Sequence, residues 1–414
     1  MTNNSKIKKI IFVENGIGYG GAIICLRHLV RNIDRSRFLP MVVTGRTGPQ
    51  YQEIAHESLW THIPDRHIDI VSLKTKAASI QWLKNLTPLS FFVNQLLARA
   101  DDIFNFVPFF VQLLWTAWRF DADLIHANNE PVCNRAALLV AKILRIPSIC
   151  HVRGDPVDSR IGRWTYALPD HFVSVSNWVA EAMQKNLDVP QQKISVVYDG
   201  IALENLDINI NGNAFRQQYN IPQNAFVVGL VGLLIPWKGQ EIFLTAASKL
   251  IGKIPNLKML IIGGTPNDYV NYETDLKKRV IEERLTEIVI FTGHISNMET
   301  VYNGLDIVVS ASTSPEPLGT VVIESMAMGR PLIGPSHGGA AEMISTGESG
   351  LLFSPGNADS LAEAILTFYE SPEMRKKLGA TARVIALQNF SVETHTNKIQ
   401  ALYENLWTDR RQIN

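Results

Sequence analysis

Two glutamates eight residues apart, Glu316 and Glu324, flank a loop-to-helix junction in Ser314-Pro-Glu-Pro-Leu-Gly-Thr-Val-Val-Ile-Glu-Ser-Met-Ala-Met-Gly-Arg-Pro-Leu-Ile333. The pattern predicts a buried strand over 306–310, a loop over 314–317 and a helix over 319–328 closed by Gly329 and Pro331. The first turn of a helix holds unpaired N–H groups at the positive end of its dipole, so the amides of Gly319 and Thr320 can receive a phosphate. Thr320 and Glu324 are four apart and share a helix face. A carboxylate one turn below a bound phosphate can accept hydrogen bonds from vicinal hydroxyls, the pair a ribose presents. Taken singly, either glutamate reads as a solvated helix-end charge. The other segments of the chain overturn that reading.

Several further residues fall at ends of predicted strands. Lys238, in Val231-Gly-Leu-Leu-Ile-Pro-Trp-Lys-Gly-Gln240, follows one strand and precedes a helix, where a compact cation can meet a diphosphate; alone it would read as a surface lysine. Ile290-Phe-Thr-Gly-His-Ile295 and Ser336-His-Gly-Gly-Ala-Ala-Glu342 supply loops whose glycines allow close approach of a flat base or a sugar. Their histidines, His294 and His337, also read as ordinary loop residues. His126 and His151 each end a strand, with Arg153 two residues beyond the latter, and either histidine also fits a structural role. Gly16-Ile-Gly-Tyr-Gly-Gly21 fits the dinucleotide pattern G-x-G-x-x-G literally, and Gly20 and Gly21 would let a phosphate approach a helix N-terminus. A nicotinamide site would place an acid after the second strand; Thr44-Gly45-Arg46 stands there, which suits at most a 2′-phosphate. A tight strand-to-helix turn without a ligand also accounts for the glycines.

The elements that must position these residues alternate. Strands are predicted at 9–13, 40–44, 124–127, 148–151, 171–175 and 194–198, with helices at 22–33, near 135–144 and at 177–187. After a polar stretch at 205–213 the rhythm restarts: strands at 227–232, 258–263, 289–292, 307–310 and 332–334, with helices at 240–250 and 271–284. This is the βαβ order of a parallel sheet covered on both faces. The expected architecture is α/β, two Rossmann-like doubly wound domains over 1–205 and 206–389 facing across a cleft, with a last helix near 390–414 packing back on the first.

Composition agrees with a large globular protein. At 414 residues, two domains of about 200 residues each are expected. Lys plus Arg and Asp plus Glu both number 39, so no global charge draws the chain to nucleic acid. Cys25, Cys133 and Cys150 fit no zinc or redox spacing, which favours a reducing compartment. No clustered carboxylate or histidine pattern reads as a metal site, and no metal is expected in the chemistry. The polar N-terminus lacks the apolar core of a signal peptide, so a cytoplasmic location is expected. The longest apolar run, 103–118, is interrupted by Asn105, Pro108 and Gln112 and is too short and polar for a confident membrane span. It suits a helix packed on a sheet, while the Trp and Phe residues of 89–120 also suit an interfacial helix.

In order and spacing these motifs resemble the retaining glycosyltransferases of family 4, group 1, with the GT-B fold, along nearly the whole chain. The resemblance implies that Gly20 and Gly21 contact donor phosphate and that His151 lies near the transferred sugar. Glu316 would orient that sugar, and Glu324 would hold the ribose. Gly319 and Thr320 would lie by the diphosphate or sugar, Lys238 would bind phosphate, and the loop at His294 and Ile295 would meet the base. Three positions depart from the family. Gly232-Leu233-Leu234 stands for the usual Gly-Arg-Leu, so one phosphate cation is absent; Lys238 or Arg153 would carry more of that work. Glu316-Pro317-Leu318-Gly319 replaces Glu-Gly-Phe-Gly and stiffens the loop, and Asp199 replaces an Asn.

The implied reaction is transfer of a sugar from a nucleoside diphosphate to an acceptor hydroxyl with retention, Lys238 and helix amides stabilising the leaving diphosphate. No cofactor is implied beyond the nucleotide sugar. The aromatic and aliphatic segment 74–119 suggests a glycan or lipid-linked glycan acceptor, as in surface polysaccharide assembly, with contact at the inner face of the cytoplasmic membrane. Competing readings are a nucleotide-sugar epimerase on the same architecture, a non-catalytic sugar-nucleotide or glycan binder, and a nicotinamide-dependent oxidoreductase. The last leaves the motifs beyond residue 206 unexplained.

Overall fold

The computed structural model describes residues 6–16, 20–65, 102–203 and 206–413, the last five by backbone alone. The predicted segment 74–101, including the first part of the proposed membrane-contact stretch, lies outside the described residues. The chain divides into two compact units, 1–174 with 179–196 and 399–414, and 175–178 with 197–398.

The first unit carries a seven-stranded parallel sheet: β1 Lys8–Glu14, β2 Phe38–Thr44, β3 Leu59–His62, β4 Leu124–Asn128, β5 Ser148–Val152, β6 His171–Ser174 and β7 Ile194–Val196. Its order is β3-β2-β1-β4-β5-β6-β7. The inner strands are apolar almost throughout, Ile10 to Val13 being fully enclosed, because helices cover both faces. Residues from Ile399 onward complete this unit. Tyr403 donates to or accepts from His126 Nδ1 at 2.6 Å, and its ring meets Phe38 edge-on, as does Trp407 by stacking.

The second unit has six parallel strands, β8 Phe226–Val231, β9 Leu257–Ile262, β10 Val289–Gly293, β11 Ile307–Val309, β12 Leu332–Pro335 and β13 Leu351–Phe353. Their order is β10-β9-β8-β11-β12-β13. Its core runs from Phe243 and Leu244 across the sheet to Leu361, Ile365 and Phe368.

In both sheets the first strand of the unit lies inside, and chain progression reverses there: between β1 and β4, and between β8 and β11. Such a reversal leaves an open crevice beyond the strand C-termini where the flanking loops diverge. Two edge strands, β3 and β13, were not foreseen. Each is short and is fixed by pairing to β2 or β12.

The apolar run at 102–120 forms one π-helical turn, Asp102–Phe106, continuing into the α-helix Val107–Phe120. Phe109, Leu113 and Ala117 are buried, while Ile103 is exposed, as are Phe104, Val107, Val111, Trp115 and Trp118 at three- and four-residue spacing. One helix therefore has an enclosed apolar face and an open one. Among the described residues no helix is long and apolar enough to cross a membrane.

Candidate functional site

The reversal in the second unit gathers the residues singled out by sequence. After β8 the chain turns through Gly232 (φ 155°), and a short 3-10 turn, Pro236–Lys238, ends at Gly239 (φ 78°). A side chain at Gly239 is excluded twice over, by its left-handed backbone and because a Cβ would stand 1.9 Å from the Ala311 carbonyl oxygen. This close approach locks the Lys238 turn against the end of β11. The stem of Lys238 lies over Gly232, its ammonium 4.5 Å from the Trp237 ring centre.

From β11 the loop 310–318 brings Glu316 to the same place. Lys238 Nζ lies 2.7 Å from Glu316 Oε2, with the two side chains only 16% and 15% exposed, and Ser312 Oγ donates to Glu316 Oε1. The helix predicted over 319–328 spans Thr320–Ala327, its N-cap Gly319 at φ 84° with no capping side chain. Thr320 is exposed at this uncapped end.

Glu324, one turn further, accepts from the Tyr302 hydroxyl at 2.6 Å. Burial raises the carboxyl pKa of Glu324 above its ordinary value, and the Tyr302 hydrogen bond opposes the rise. Tyr302 itself is fully enclosed, and burial next to Glu324 pushes its phenol well up. Nothing in the sequence pattern pointed to Tyr302, because it sits on the separate helix Met298–Gly304.

The glycines of Gly338-Gly339 are filled from within. A Cβ on Gly338 would meet Glu316 O at 2.7 Å, one on Gly339 would meet Leu318 O at 2.4 Å, and the Gly339 amide donates to Glu316 O at 2.8 Å. The close approach they permit is that of the Glu316–Leu318 backbone. Beside them, both ring nitrogens of His337 are buried with no partner among the described residues. Glu342 at the end of this segment accepts from the amides of Asn177 and Trp178, at 2.8 and 2.5 Å, and from Tyr198 Oη at 3.1 Å. His294 is exposed just past β10, its Cβ 3.3 Å from where a Cβ on Gly264 would stand, and Ile295 is half-buried. Leu233, where the family places arginine, is 51% exposed.

In the first unit Gly20 caps the helix Gly21–Asn32 in extended backbone, and Cβ atoms built on Gly20 or Gly21 would meet open space. His151 is fully enclosed. Its Nδ1 accepts from Arg153 Nη2 at 3.1 Å; Arg153 also donates to Asn128 Oδ1, and Asn128 donates to Glu14. Burial raises the Glu14 carboxyl pKa, against hydrogen bonds from Asn128 and the Gly16 amide. Arg46, Asn15, Glu130 and Asp155 meet in a cavity of this unit, a grouping the sequence alone did not reveal. Their shared signal is position: the first three stand just past β2, β1 and β4, and Asp155 three residues past β5. Among the described residues no three His, Cys, Asp or Glu cluster as a metal site.

Two doubly wound parallel sheets, each with its site residues beyond the strand ends at a reversal of order, define the GT-B class. The fold of Anabaena HepE, solved with UDP, matches with a TM-score of 0.78 at 23% identity over 96% of this chain and 100% of that one. A glycosyltransferase from Rickettsia africae matches with a TM-score of 0.80 at 18% identity over 97% and 99%. Residues 212–384 match the model for glycosyl transferases group 1, and residues 19–205 match that for glycosyltransferase family 4. The chain belongs to these group 1, family 4 glycosyltransferases. Among curated relatives, the D-inositol 3-phosphate glycosyltransferase of Corynebacterium efficiens is 29% identical over 53% of each chain. The lipopolysaccharide core biosynthesis mannosyltransferase LpsB of Rhizobium meliloti is 24% identical over 53% of this chain and 62% of its own. The chain thus spans about half the length of the curated relatives it matches.

Proposed function

We propose that this chain transfers a sugar from a nucleoside diphosphate, a uridine diphosphate sugar foremost, to an acceptor hydroxyl with retention at the anomeric carbon. The observation that carries the reading is the Lys238–Glu316 pair beside the uncapped helix end at Gly319 and Thr320, with Glu324 one turn behind. The uridine nucleotide is favoured because HepE was solved with UDP and with UDP-glucose.

In this reading the Lys238 ammonium and the amides at Gly319 and Thr320 receive the diphosphate as negative charge develops on it. Their charge and fixed position supply this without a metal. Glu316, oriented by Lys238 and Ser312, receives hydroxyls of the transferred sugar, and Glu324 receives the ribose hydroxyls. His294 and Ile295 border the base, and the open backbone at Gly20 and Gly21 serves phosphate. His151 contributes by holding Arg153. Retention follows if the acceptor attacks from the face the diphosphate leaves, its proton passing to the departing phosphate, so no enzyme nucleophile is needed. The acceptor is a glycan or lipid-linked glycan in surface polysaccharide assembly. The open face of Val107–Phe120, with Trp115 and Trp118, rests on the inner surface of the cytoplasmic membrane.

The test is thermal stabilisation of the purified chain across a panel of nucleotide sugars and nicotinamide cofactors, repeated with Lys238→Ala and Glu324→Ala. A shift with one nucleotide sugar that both substitutions abolish is expected. A shift with a nicotinamide cofactor and none with any nucleotide sugar would overturn the reading.

A further inference from the structure

Lys238 Nζ and Glu316 Oε2 stand 2.7 Å apart, so the charges of the pair sum to zero. Exposed Leu233 occupies the place where the family supplies a further cation. Glu316 is not free to swing away. Pro315 and Pro317 restrict the backbone on either side, the Gly339 amide donates to the Glu316 carbonyl oxygen at 2.8 Å, and Ser312 Oγ donates to Oε1. An anion drawn to the Lys238 ammonium therefore meets a fixed carboxylate beside it. A carboxylate accepts hydrogen bonds and donates none, so it favours hydroxyls and repels phosphate oxygens.

A nucleoside diphosphate sugar and the nucleoside diphosphate left after transfer differ in both respects. The donor carries two phosphate charges and the hydroxyls of its sugar. Breaking the bond from the anomeric carbon to the phosphate oxygen removes those hydroxyls, and the departing phosphate takes up the acceptor's proton. Above a pKa of about 6 that proton passes on to solvent, and the product carries a third charge.

We infer that Glu316 discriminates the donor from its own product: its carboxylate receives the hydroxyls of the sugar and, once they are gone, repels the added charge of the nucleoside diphosphate and speeds its release. This role rests on the glycosyltransferase reading of the site. The charged and titratable groups on the elements around the pair are Lys238 after β8, His294 after β10, Tyr302 and Glu324 on their helices, and His337 ahead of Gly338. All are retained when Glu316 is replaced, so a difference between the two proteins belongs to Glu316.

The experiment is calorimetry of the full chain, wild type and Glu316→Gln, with UDP and with UDP-glucose, UDP-galactose and UDP-N-acetylglucosamine. It is run at about pH 5.5 and about pH 8, on either side of the phosphate pKa. The readout is the dissociation constant of UDP over that of the tightest-binding sugar nucleotide. In the wild type this ratio is expected to stay level or rise with pH, because the third charge gains nothing from a neutral pair. In Glu316→Gln it is expected to fall about tenfold over the same range, as Lys238 attracts the third charge unopposed. Glu316→Ala, with melting temperatures checked, is a second neutral variant with the same expectation. A wild-type ratio that falls as steeply as the variants', or variant ratios that stay level, would overturn the inference and leave the donor reading standing. A wild type that binds none of these sugar nucleotides removes the donor reading and this role with it.

Discussion

The Tyr302 hydroxyl donates to Glu324 Oε2 at 2.6 Å, joining an enclosed phenol on one helix to a carboxylate on another. The hydrogen bond favours the ionised form that burial disfavours, so the ionised carboxylate that the proposed ribose contact needs comes at some cost to the fold.

That cost has a sign in pH. Glu324 has its folded pKa raised above 4.5. From there up to the raised value the folded chain keeps a proton the unfolded chain has lost, so stability falls as pH rises through the window and then levels. Glu324→Gln removes this term. Its melting temperature at pH 7 is expected to equal or exceed the parent's, with a flatter profile above pH 4.5, while affinity for UDP falls about tenfold, or about 1.4 kcal/mol. Melting curves from pH 4.5 to 8, with and without UDP, check both halves; a stability loss at pH 7 would contradict the assignment.

Lys238 and Glu316 are a partly enclosed ion pair, so removing one partner strands the other. Lys238→Met is expected to lower turnover by about 10²–10³-fold and stability by about 1–3 kcal/mol. Adding Glu316→Gln should restore most of the stability and none of the turnover. Urea unfolding beside donor-consumption rates distinguishes this from a purely structural pair, for which both would recover together.

Gly239 holds the Lys238 turn at φ 78° with the Ala311 carbonyl oxygen occupying the space of a side chain. Gly239→Ala is expected to cost about 2 kcal/mol or more, because left-handed backbone and backbone clash add. Urea unfolding measures it. A neutral result would mean that the turn can move away from β11.

Leu233 projects outward where the family carries an arginine. Leu233→Arg is expected to tighten UDP binding about fivefold at low salt, or about 1 kcal/mol, with the gain shrinking as ionic strength rises. Calorimetry at two salt concentrations tests it, and no gain at low salt would show that the position does not face the diphosphate.

Trp115 and Trp118 lie on the open face of Val107–Phe120, their ring centres 5.2 Å apart. Replacing both by alanine is expected to lower co-sedimentation with anionic lipid vesicles at least fivefold, the direction for lost interfacial aromatics. UDP stabilisation serves as the folding control. Unchanged sedimentation would remove the membrane from the proposal.

Alternation of apolar strands with helical stretches sufficed to place eleven of the strands, because buried parallel strands must be apolar and their helices must be periodic. Glu316 and Lys238 could be singled out from sequence because each stands just outside a helix beyond a strand end, and Glu324 because it falls one turn into the helix that Gly319 opens. The sequence could not order the strands or bring distant loops together. Lys238 and Glu316 are 78 residues apart, and only the adjacency of β8 and β11 makes them neighbours. Tyr302 reaches Glu324, and Asn15, Arg46, Glu130 and Asp155 share one cavity, through the same kind of reversal. Local pattern is a property of the chain and can be read along it, whereas a site at a sheet reversal is assembled by long-range pairing that no window of sequence contains.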